Sequence, residues 1–316
     1  MRVVFFGTPG PAAEVLALLL KQKEIEIVGV VTQPDRPKGR GQQLSFSPVK
    51  ELALKNGLPL EQPEKIRHDQ VFKSILESLR PDLGVVVAYG QILPGEILDL
   101  PKNGFINLHA SLLPKYRGAA PVQWALIKGE KESGMTIFRL TEQLDAGPIL
   151  SQRAVPIAPE DDAETLLKKV FEVGQRLLLE LLPKIAAGKA VLTPQIETEC
   201  SFAPTLSKES GAIDWRKTAA EIANLVRGTI PWPAAHTIYR GRQLKLFKVK
   251  PVELPEMTAQ TAPGEIVAMI KDEGMVVATG LGHLLIVELQ QEGGKRLSCK
   301  SFLAGHDVKI GETLPN

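Results

Sequence analysis

The first two-thirds of the chain alternates short apolar runs with segments of helical periodicity, and this alternation most limits the possible folds. Apolar, β-branched runs lie at Arg2–Phe6, Ile25–Thr32, Leu83–Ala88, Gly104–Leu108 and Met135–Leu140. Helical spacing is found at Ala12–Leu20, Pro48–Lys55, His68–Leu79 and Ala163–Ala187. Strands separated by helices indicate βαβ units around a mostly parallel sheet. The sequence therefore predicts a Rossmann-like α/β domain.

The pattern changes after about residue 190. Residues 190–204 have no helical period and indicate a connecting segment, and Thr218–Arg227 has the spacing of a helix. Short β-like runs follow at Thr237–Val249, Gly264–Ile270, Gly274–Thr279 and His283–Leu289. Short strands of even spacing are typical of a small barrel or sandwich. We therefore expect a first domain over 1–190, a linker over 191–206 and a C-terminal domain over 207–316.

Length and composition agree with this division and exclude some classes of protein. A chain of 316 residues is too long for one ordinary core. The net charge of +2 means that any nucleic-acid affinity must come from local clusters of basic residues. Cys200 and Cys299 belong to no CxxC pair, so we expect no metal site and a reducing compartment. With no signal-peptide pattern and no run long enough to span a bilayer, we expect a cytoplasmic protein without membrane contact.

One strand of the predicted sheet ends in a polar pair. Asn107 and His109 are two residues apart, so their side chains face the same way. They lie at the carboxyl end of the strand, the edge where open parallel sheets bind ligands. A neutral amide beside an imidazole can stabilise an oxyanion. The alternative is a polar strand end whose groups are satisfied by local hydrogen bonds, and the spacing alone does not separate the two.

Two further segments are candidates for the same site. Ser-Leu-Leu-Pro, residues 111–114, could line a pocket for a flat heteroaromatic ligand or form an ordinary loop. Asp145 lies in a turn over residues 141–148, next to small residues that allow close approach of a ligand. An aspartate in a turn more often caps the backbone. Near Asp145, a protonated His109 would be stabilised by the opposite charge.

A basic, Pro- and Gly-rich stretch interrupts one βαβ unit at residues 33–41. Such a composition usually belongs to a solvated surface loop. A basic loop near the carboxyl edge of a sheet is also suited to contact the phosphates of a nucleic acid.

The motifs Asn-x-His at 107–109, Ser-Leu-Leu-Pro at 111–114 and Leu-Asp-Ala-Gly at 144–147 together resemble the 10-formyltetrahydrofolate-dependent formyltransferase family. The resemblance implies that Asn107, His109 and Asp145 are catalytic and that 10-formyltetrahydrofolate is the formyl donor, with no metal. It also implies a set of folate-binding residues: Ser111, Leu112, Leu113, Pro114, Tyr89, Gln91, Ile92 and Leu93.

Three longer segments are similar to the branch of that family that acts on methionyl-tRNA: FFGTPGPAA, TQPDRPKGRGQQLSFSPVK and IDWRKTAAEIANLVRGTIPWPAA. This similarity implies that the acceptor is the α-amine of methionine on initiator tRNA and that the C-terminal domain is a small barrel of OB type. We expect a monomer. The residues expected to contact tRNA are Arg36, Lys38, Arg40, Arg240 and Arg242.

Other functions are weaker alternatives. Gly7-Thr8-Pro9-Gly10 does not match the GxGxxG spacing of a dinucleotide-binding dehydrogenase. A non-catalytic RNA-binding module would leave Asn107, His109 and Asp145 unexplained. Within the enzyme class, a formyltransferase acting on a sugar nucleotide or another small amine is the main rival.

Overall fold

The structure, a computed structural model, describes residues 1–38, 43–254 and 261–315. Its strands in chain order are β1 (Arg2–Gly7), β2 (Glu26–Val31), β3 (Arg36–Lys38), β4 (Gln43–Ser45), β5 (Leu60–Glu61), β6 (Leu83–Val87), β7 (Phe105–His109), β8 (Glu132–Arg139), β9 (Ile149–Pro156), β10 (Ala235–Tyr239), β11 (Arg242–Val252), β12 (Ile266–Ile270), β13 (Gly274–Ala278), β14 (His283–Gln291) and β15 (Leu297–Ser298). Its α-helices are α1 (Gly10–Leu19), α2 (Pro48–Lys55), α3 (Gln70–Leu79), α4 (Gly95–Leu98), α5 (Pro121–Ile127), α6 (Ala163–Ala186), α7 (Ala219–Gly228) and α8 (Cys299–Gly305).

The N-terminal sheet has the order β5-β2-β1-β6-β7-β8-β9 within the described residues. β1 pairs in parallel with β2 and β6, and β6 pairs in parallel with β7. β8 runs antiparallel to β7. All residues of β6 and most of β1 are buried, as expected for strands covered on both faces. The predicted mostly parallel α/β sheet is confirmed.

Most predicted helices start where a capping side chain is available. Ser47 accepts a hydrogen bond from the N–H of Lys50 at the start of α2, and Asp69 caps α3 in the same way. At α7, Thr218 and Glu221 form a capping box. The caps fix these helices within two residues of the bounds that periodicity predicted.

The second sheet is antiparallel, with the order β10-β11-β14-β13-β12 and β15 beside β14 within the described residues. Its core includes Trp215, Leu246, Ile286 and Phe302, all of them fully buried or nearly so. The prediction of one run over Thr237–Val249 is wrong, because two strands and a turn occupy this stretch.

The turn between β10 and β11 consists of Arg240 and Gly241, both with positive φ (48° and 75°). Two such residues make the tight connection that suits a twisted hairpin. Further along β11, Leu244 and Leu246 face the core, and the register then shifts on both sides of Lys248. In an unbroken strand, Lys248 and Lys250 would lie on the same face as Leu244 and Leu246. The bulge turns both lysines outward, and they are exposed.

Contacts between Cα atoms divide the chain into two compact units. The first contains residues 1–118, 133–156 and 168–202, and the second contains residues 119–132, 157–167 and 203–316. The boundaries expected from the sequence, at 190 and 207, stay a prediction. In the described part of the chain, no helix has the length and apolar character needed to cross a membrane.

Candidate active site

Asn107 and His109 lie on β7, between the parallel β6 and the antiparallel β8. Asn107 is paired with Val86 and Phe138, and His109 is paired with Thr136. Both side chains leave the same face of the strand because they are two residues apart. His109 is buried, whereas Asn107 is half-buried. The predicted position of the pair at the carboxyl end of the strand is confirmed.

The imidazole of His109 is held on both sides. Its Nε2 lies 2.8 Å from the carbonyl oxygen of Tyr116. Because a carbonyl only accepts hydrogen bonds, Nε2 is the donor and carries a proton. Nδ1 lies 3.6 Å from Oδ2 of Asp145, whose side chain is also buried. The structure therefore brings His109 and Asp145 together, and the ring presents Nδ1 to a carboxylate.

Asp145 occupies a strained position in its turn. Its φ of 48° is left-handed, a region that aspartate tolerates better than most residues. Its Oδ2 accepts a hydrogen bond of 2.8 Å from the backbone N–H of Gly118. A Cβ on Gly147 would lie 1.8 Å from the carbonyl oxygen of Arg139, so only glycine fits at that point of the turn. The turn is thus packed tightly enough to fix the carboxylate.

The loop after β7 contains the predicted folate-binding motif and is tied to β8 through Thr136. The Thr136 hydroxyl donates to the carbonyl of Ser111 (2.6 Å) and accepts from the N–H of Leu113 (3.1 Å). Gln152 on β9 donates to both Thr136 Oγ1 and the carbonyl of Leu113. The Ser111 hydroxyl donates to the carbonyl of Lys115. Leu112 and Pro114 stay half-buried, so they can contact a bound ligand.

The second predicted folate segment follows β6. Tyr89 and Leu93 are buried in a cluster with Phe6, whereas Ile92 is exposed. Gln91 is used structurally, because its Oε1 accepts from the N–H of Ile66 and its Nε2 donates to the carbonyl of Pro63.

The hydroxyl of Tyr89 has no hydrogen-bond partner among the described residues. Burial raises the pKa of Tyr89. The phenol therefore stays protonated and unpaired within the core of the free protein.

Sequence reasoning missed a group of residues that contacts the turn of Asp145. Arg117, Gln195 and Glu197 form a chain of side chains that reaches the backbone of this turn. Gln195 and Glu197 belong to the stretch expected to be a linker. Nothing in the local pattern indicates them, since their partners lie far away in sequence.

The basic stretch after β2 is a hairpin at its base. β3 pairs antiparallel with β4, with Arg36 opposite Ser45. Lys50 forms an ion pair with Asp35 and donates to Oε1 of Gln62 (2.8 Å). Gln62 in turn donates to Asp35 Oδ1. The hydrogen bond from Lys50 lowers the pKa of Asp35, which keeps the carboxylate charged and the hairpin base fixed.

The residues predicted to contact tRNA have different surroundings. Arg36 and Arg242 are exposed. The side chain of Lys38 and the whole of Arg40 lie outside the described residues. Arg240 is engaged within the protein, because its Nη2 donates to Oε1 of Glu312 (2.6 Å) and to the carbonyl of Asp307. All five assignments to tRNA stay predictions.

In residues 1–38, 43–254 and 261–315, no group of three or more His, Cys, Asp or Glu side chains could hold a metal ion. The arrangement described here offers hydrogen-bond donors and one buried carboxylate. It is suited to stabilise charge on an oxygen atom and to move a proton.

Comparison with known families identifies both parts of the chain. Residues 1–182 match the formyl transferase family, and residues 205–307 match the formyl transferase C-terminal domain. The chain belongs to the formyl transferase family.

The family members include methionyl-tRNA formyltransferases that match nearly the full length of this chain. One from Caldanaerobacter subterraneus subsp. tengcongensis is 45% identical over 99% of this chain and 100% of its own. Those of Thermodesulfovibrio yellowstonii and Geobacter metallireducens are 47% and 46% identical, each over 98% of this chain and 97% of the relative.

Solved structures of low sequence identity share the fold. WlaRD, a sugar 3N-formyl transferase, superposes with a TM-score of 0.66 at 20% identity and covers 93% of this chain and 99% of its own. HypX from Aquifex aeolicus in complex with tetrahydrofolic acid has a TM-score of 0.62 at 20% identity and covers 100% of this chain and 49% of that one. At this identity the likeness concerns the fold alone.

Proposed function

We propose that this protein transfers the formyl group of 10-formyltetrahydrofolate to the α-amino group of methionine on initiator methionyl-tRNA, for translation initiation. The observation that carries the proposal is an identity of 45–47% to methionyl-tRNA formyltransferases over nearly the whole of both chains. Both domains are included in these matches, so the C-terminal domain is shared as well as the N-terminal domain. A translation enzyme of this kind acts in the cytoplasm, and we propose that it does so as a monomer.

The side chains of β7 stabilise the charge that develops during transfer. The folate donor supplies a formyl carbon, and attack by the amine places negative charge on the formyl oxygen. The amide of Asn107 and the Nε2–H of His109 donate to this oxygen, and each such donor is worth about 3 kcal/mol. In the free protein Nε2 donates to the carbonyl of Tyr116 (2.8 Å), so the substrate oxygen takes the place of that carbonyl.

Asp145 acts through the imidazole of His109. Its Oδ2 faces Nδ1 at 3.6 Å and balances the charge of the ring when both nitrogens carry protons. In this proposal the carboxylate also positions a water that carries a proton from the attacking amine to the leaving nitrogen. Neither role requires a metal.

The folate lies against the two loops that follow β6 and β7. Leu112, Pro114 and Ile92 offer apolar surface, and the unpaired hydroxyl of Tyr89 offers one polar contact. Charged residues of the basic stretch at 33–41, Arg36, Lys38 and Arg40, contact phosphates of the acceptor stem. Arg240 and Arg242 of the second unit contribute further charge to tRNA binding.

Formyl transfer from 10-formyltetrahydrofolate to methionyl initiator tRNA tests the proposal, with a sugar-nucleotide amine as the rival acceptor. We expect turnover with the tRNA and none above background with the sugar nucleotide. Preference for the sugar nucleotide would make the protein a small-amine formyltransferase. Absence of transfer to either acceptor, with folate binding intact, would contradict both assignments.

A further inference from the structure

The segment of residues 195–201 hydrogen-bonds to the backbone around the proposed catalytic pair, His109 and Asp145. The side-chain amide nitrogen of Gln195 donates to the carbonyl oxygens of Asp145 (2.8 Å) and Gly147 (2.7 Å). One carboxamide thus holds both sides of the turn in which Asp145 has a left-handed backbone. A hydrogen bond to each carbonyl fixes the direction in which the Asp145 side chain leaves the turn.

The orientation of Gln195 is itself set by Arg117. Nε and Nη2 of Arg117 lie 3.1 and 2.8 Å from Oε1 of Gln195. Because guanidinium nitrogens only donate, this oxygen must point at Arg117 and the amide nitrogen must point at the turn. Glu197 completes the chain with a bidentate pair to Arg117 (3.0 and 2.7 Å). This pair raises the pKa of Arg117, whose side chain is only 5% exposed.

The same segment holds the opposite side of the site. The hydroxyl of Ser201 accepts from the N–H of Tyr116 (2.9 Å), and the carbonyl of Ser201 accepts from the N–H of Arg117 (2.8 Å). Tyr116 provides the carbonyl that binds His109 Nε2, and the next glycine, Gly118, provides the N–H that binds Asp145. In the free protein, residues 195–201 therefore fix the groups that hold both His109 and Asp145.

We propose that Gln195, oriented by Arg117, is a positioning residue for the His109–Asp145 pair, a role that rests on the proposed function of that pair. Gln195 does not touch the reacting atoms. It sets the 3.6 Å separation of Nδ1 and Oδ2 by fixing the backbone on which Asp145 stands. A displacement of about 1 Å in such a pair lowers the rate by up to about 10²-fold.

Gln195→Glu separates the contact of this side chain with Arg117 from its contacts with the turn of Asp145. The new carboxylate still accepts from Arg117 but has no N–H for the carbonyls of Asp145 and Gly147. We expect kcat to fall at least about tenfold with KM for folate unchanged. Gln195→Ala, which loses both contacts, is expected to show the same pattern and serves if the glutamate variant folds poorly.

Gln22→Glu is the matched control. Gln22 also donates its amide nitrogen to a backbone carbonyl, that of Leu18 (3.0 Å), in the same unit at the end of α1. This variant is expected to keep kcat and KM. Thermal unfolding of each variant measures the folded fraction, so a loss of kcat is compared at equal folded protein.

A double-mutant cycle with Asp145→Asn tests whether Gln195 acts through Asp145. If it does, Gln195→Glu lowers kcat at least tenfold in the natural protein and less than about twofold in the Asp145→Asn background. Equal losses in both backgrounds, or no loss in the single variant, would overturn the positioning role. No loss on Asp145→Asn itself would instead overturn the catalytic assignment of the pair, and these results are distinguishable.

Discussion

Oδ2 of Asp145 lies 3.6 Å from Nδ1 of His109 and at the same time accepts a hydrogen bond of 2.8 Å from the backbone of Gly118. The carboxylate oxygen that faces the imidazole is therefore anchored by a backbone group rather than by a mobile side chain. Catalysis by a charge pair depends on such fixed geometry, because the groups need not reorganise during the reaction.

The first prediction concerns the donors on β7. His109→Ala and Asn107→Ala should each lower turnover by roughly 10²-fold or more, because each removes one donor to the developing charge. KM for folate should change little, since neither side chain belongs to the proposed folate loops. Steady-state kinetics with methionyl-tRNA measures both constants. Full turnover in folded His109→Ala would contradict the catalytic assignment.

The second prediction separates charge from shape at Asp145. Asp145→Asn keeps the size of the side chain and an oxygen for the N–H of Gly118, but it carries no charge for His109. We expect a loss in turnover of about 10²-fold with an unchanged melting temperature. Turnover that survives this substitution would assign Asp145 to the structure of the turn alone.

The third prediction concerns the unpaired hydroxyl of Tyr89. An unsatisfied buried hydroxyl costs about 1 kcal/mol or more, so Tyr89→Phe should make the free protein at least as stable as before. If the hydroxyl meets a polar atom of the folate, the same substitution weakens binding about tenfold. Chemical denaturation and titration with tetrahydrofolate check the two effects. Unchanged folate affinity would make Tyr89 a core residue only.

The parts of the molecule that sequence could predict depend on local rules. The side chains of Asn107 and His109 share a face because strand periodicity requires it, and α7 begins at its capping box because Thr218 and Glu221 are three residues apart. The contacts of Gln195 could not be predicted, because its partners Asp145 and Gly147 are near only after the chain has folded. No local sequence pattern indicates that Gln195 comes close to these two residues.

Two errors in the predicted elements have local causes. The turn between β10 and β11 uses Arg240 at a left-handed φ, where Asn or Asp before Gly would have been the usual signal. α5 has seven residues, too few for helical periodicity to emerge. The sequence pattern therefore predicts neither the turn nor α5.

The fourth prediction concerns the pH dependence of the Arg240–Glu312 pair. The hydrogen bond from Arg240 lowers the pKa of Glu312 to about 2. Because the pKa of Glu312 is lower in the folded protein than in the unfolded chain, its carboxylate contributes to the free energy of unfolding at pH values above about 4.5. This contribution is lost as the pH falls toward 2. Arg240→Ala should therefore lower the free energy of unfolding at pH 7, and the difference from the natural protein should shrink below about pH 4.5, the ordinary carboxyl pKa.

Tryptophan fluorescence follows this effect, because the three tryptophans, Trp124, Trp215 and Trp232, all belong to the second unit. Denaturation at pH 7 and pH 3 gives the two differences. Arg242→Ala, an exposed neighbour, is the control and should change stability by less than about 0.5 kcal/mol. An Arg240→Ala effect of the same size at both pH values would show that the ion pair does not stabilise this unit.

The last prediction concerns the basic stretch at residues 33–41 and separates tRNA from smaller acceptors as substrates. The Lys50–Asp35 ion pair fixes the hairpin base, and Arg36, Lys38 and Arg40 follow it. If each binds one phosphate, substitution by alanine should weaken tRNA binding and reduce the salt slope by about one unit per lost contact. Folate affinity should not change, and transfer to a free methionine ester, which has no phosphates, should be equally insensitive. Lys55→Ala, an exposed lysine at the end of α2, controls for net charge. Variants of the basic stretch with unchanged tRNA affinity at every salt concentration would make this segment an ordinary surface segment and would favour a sugar-nucleotide acceptor.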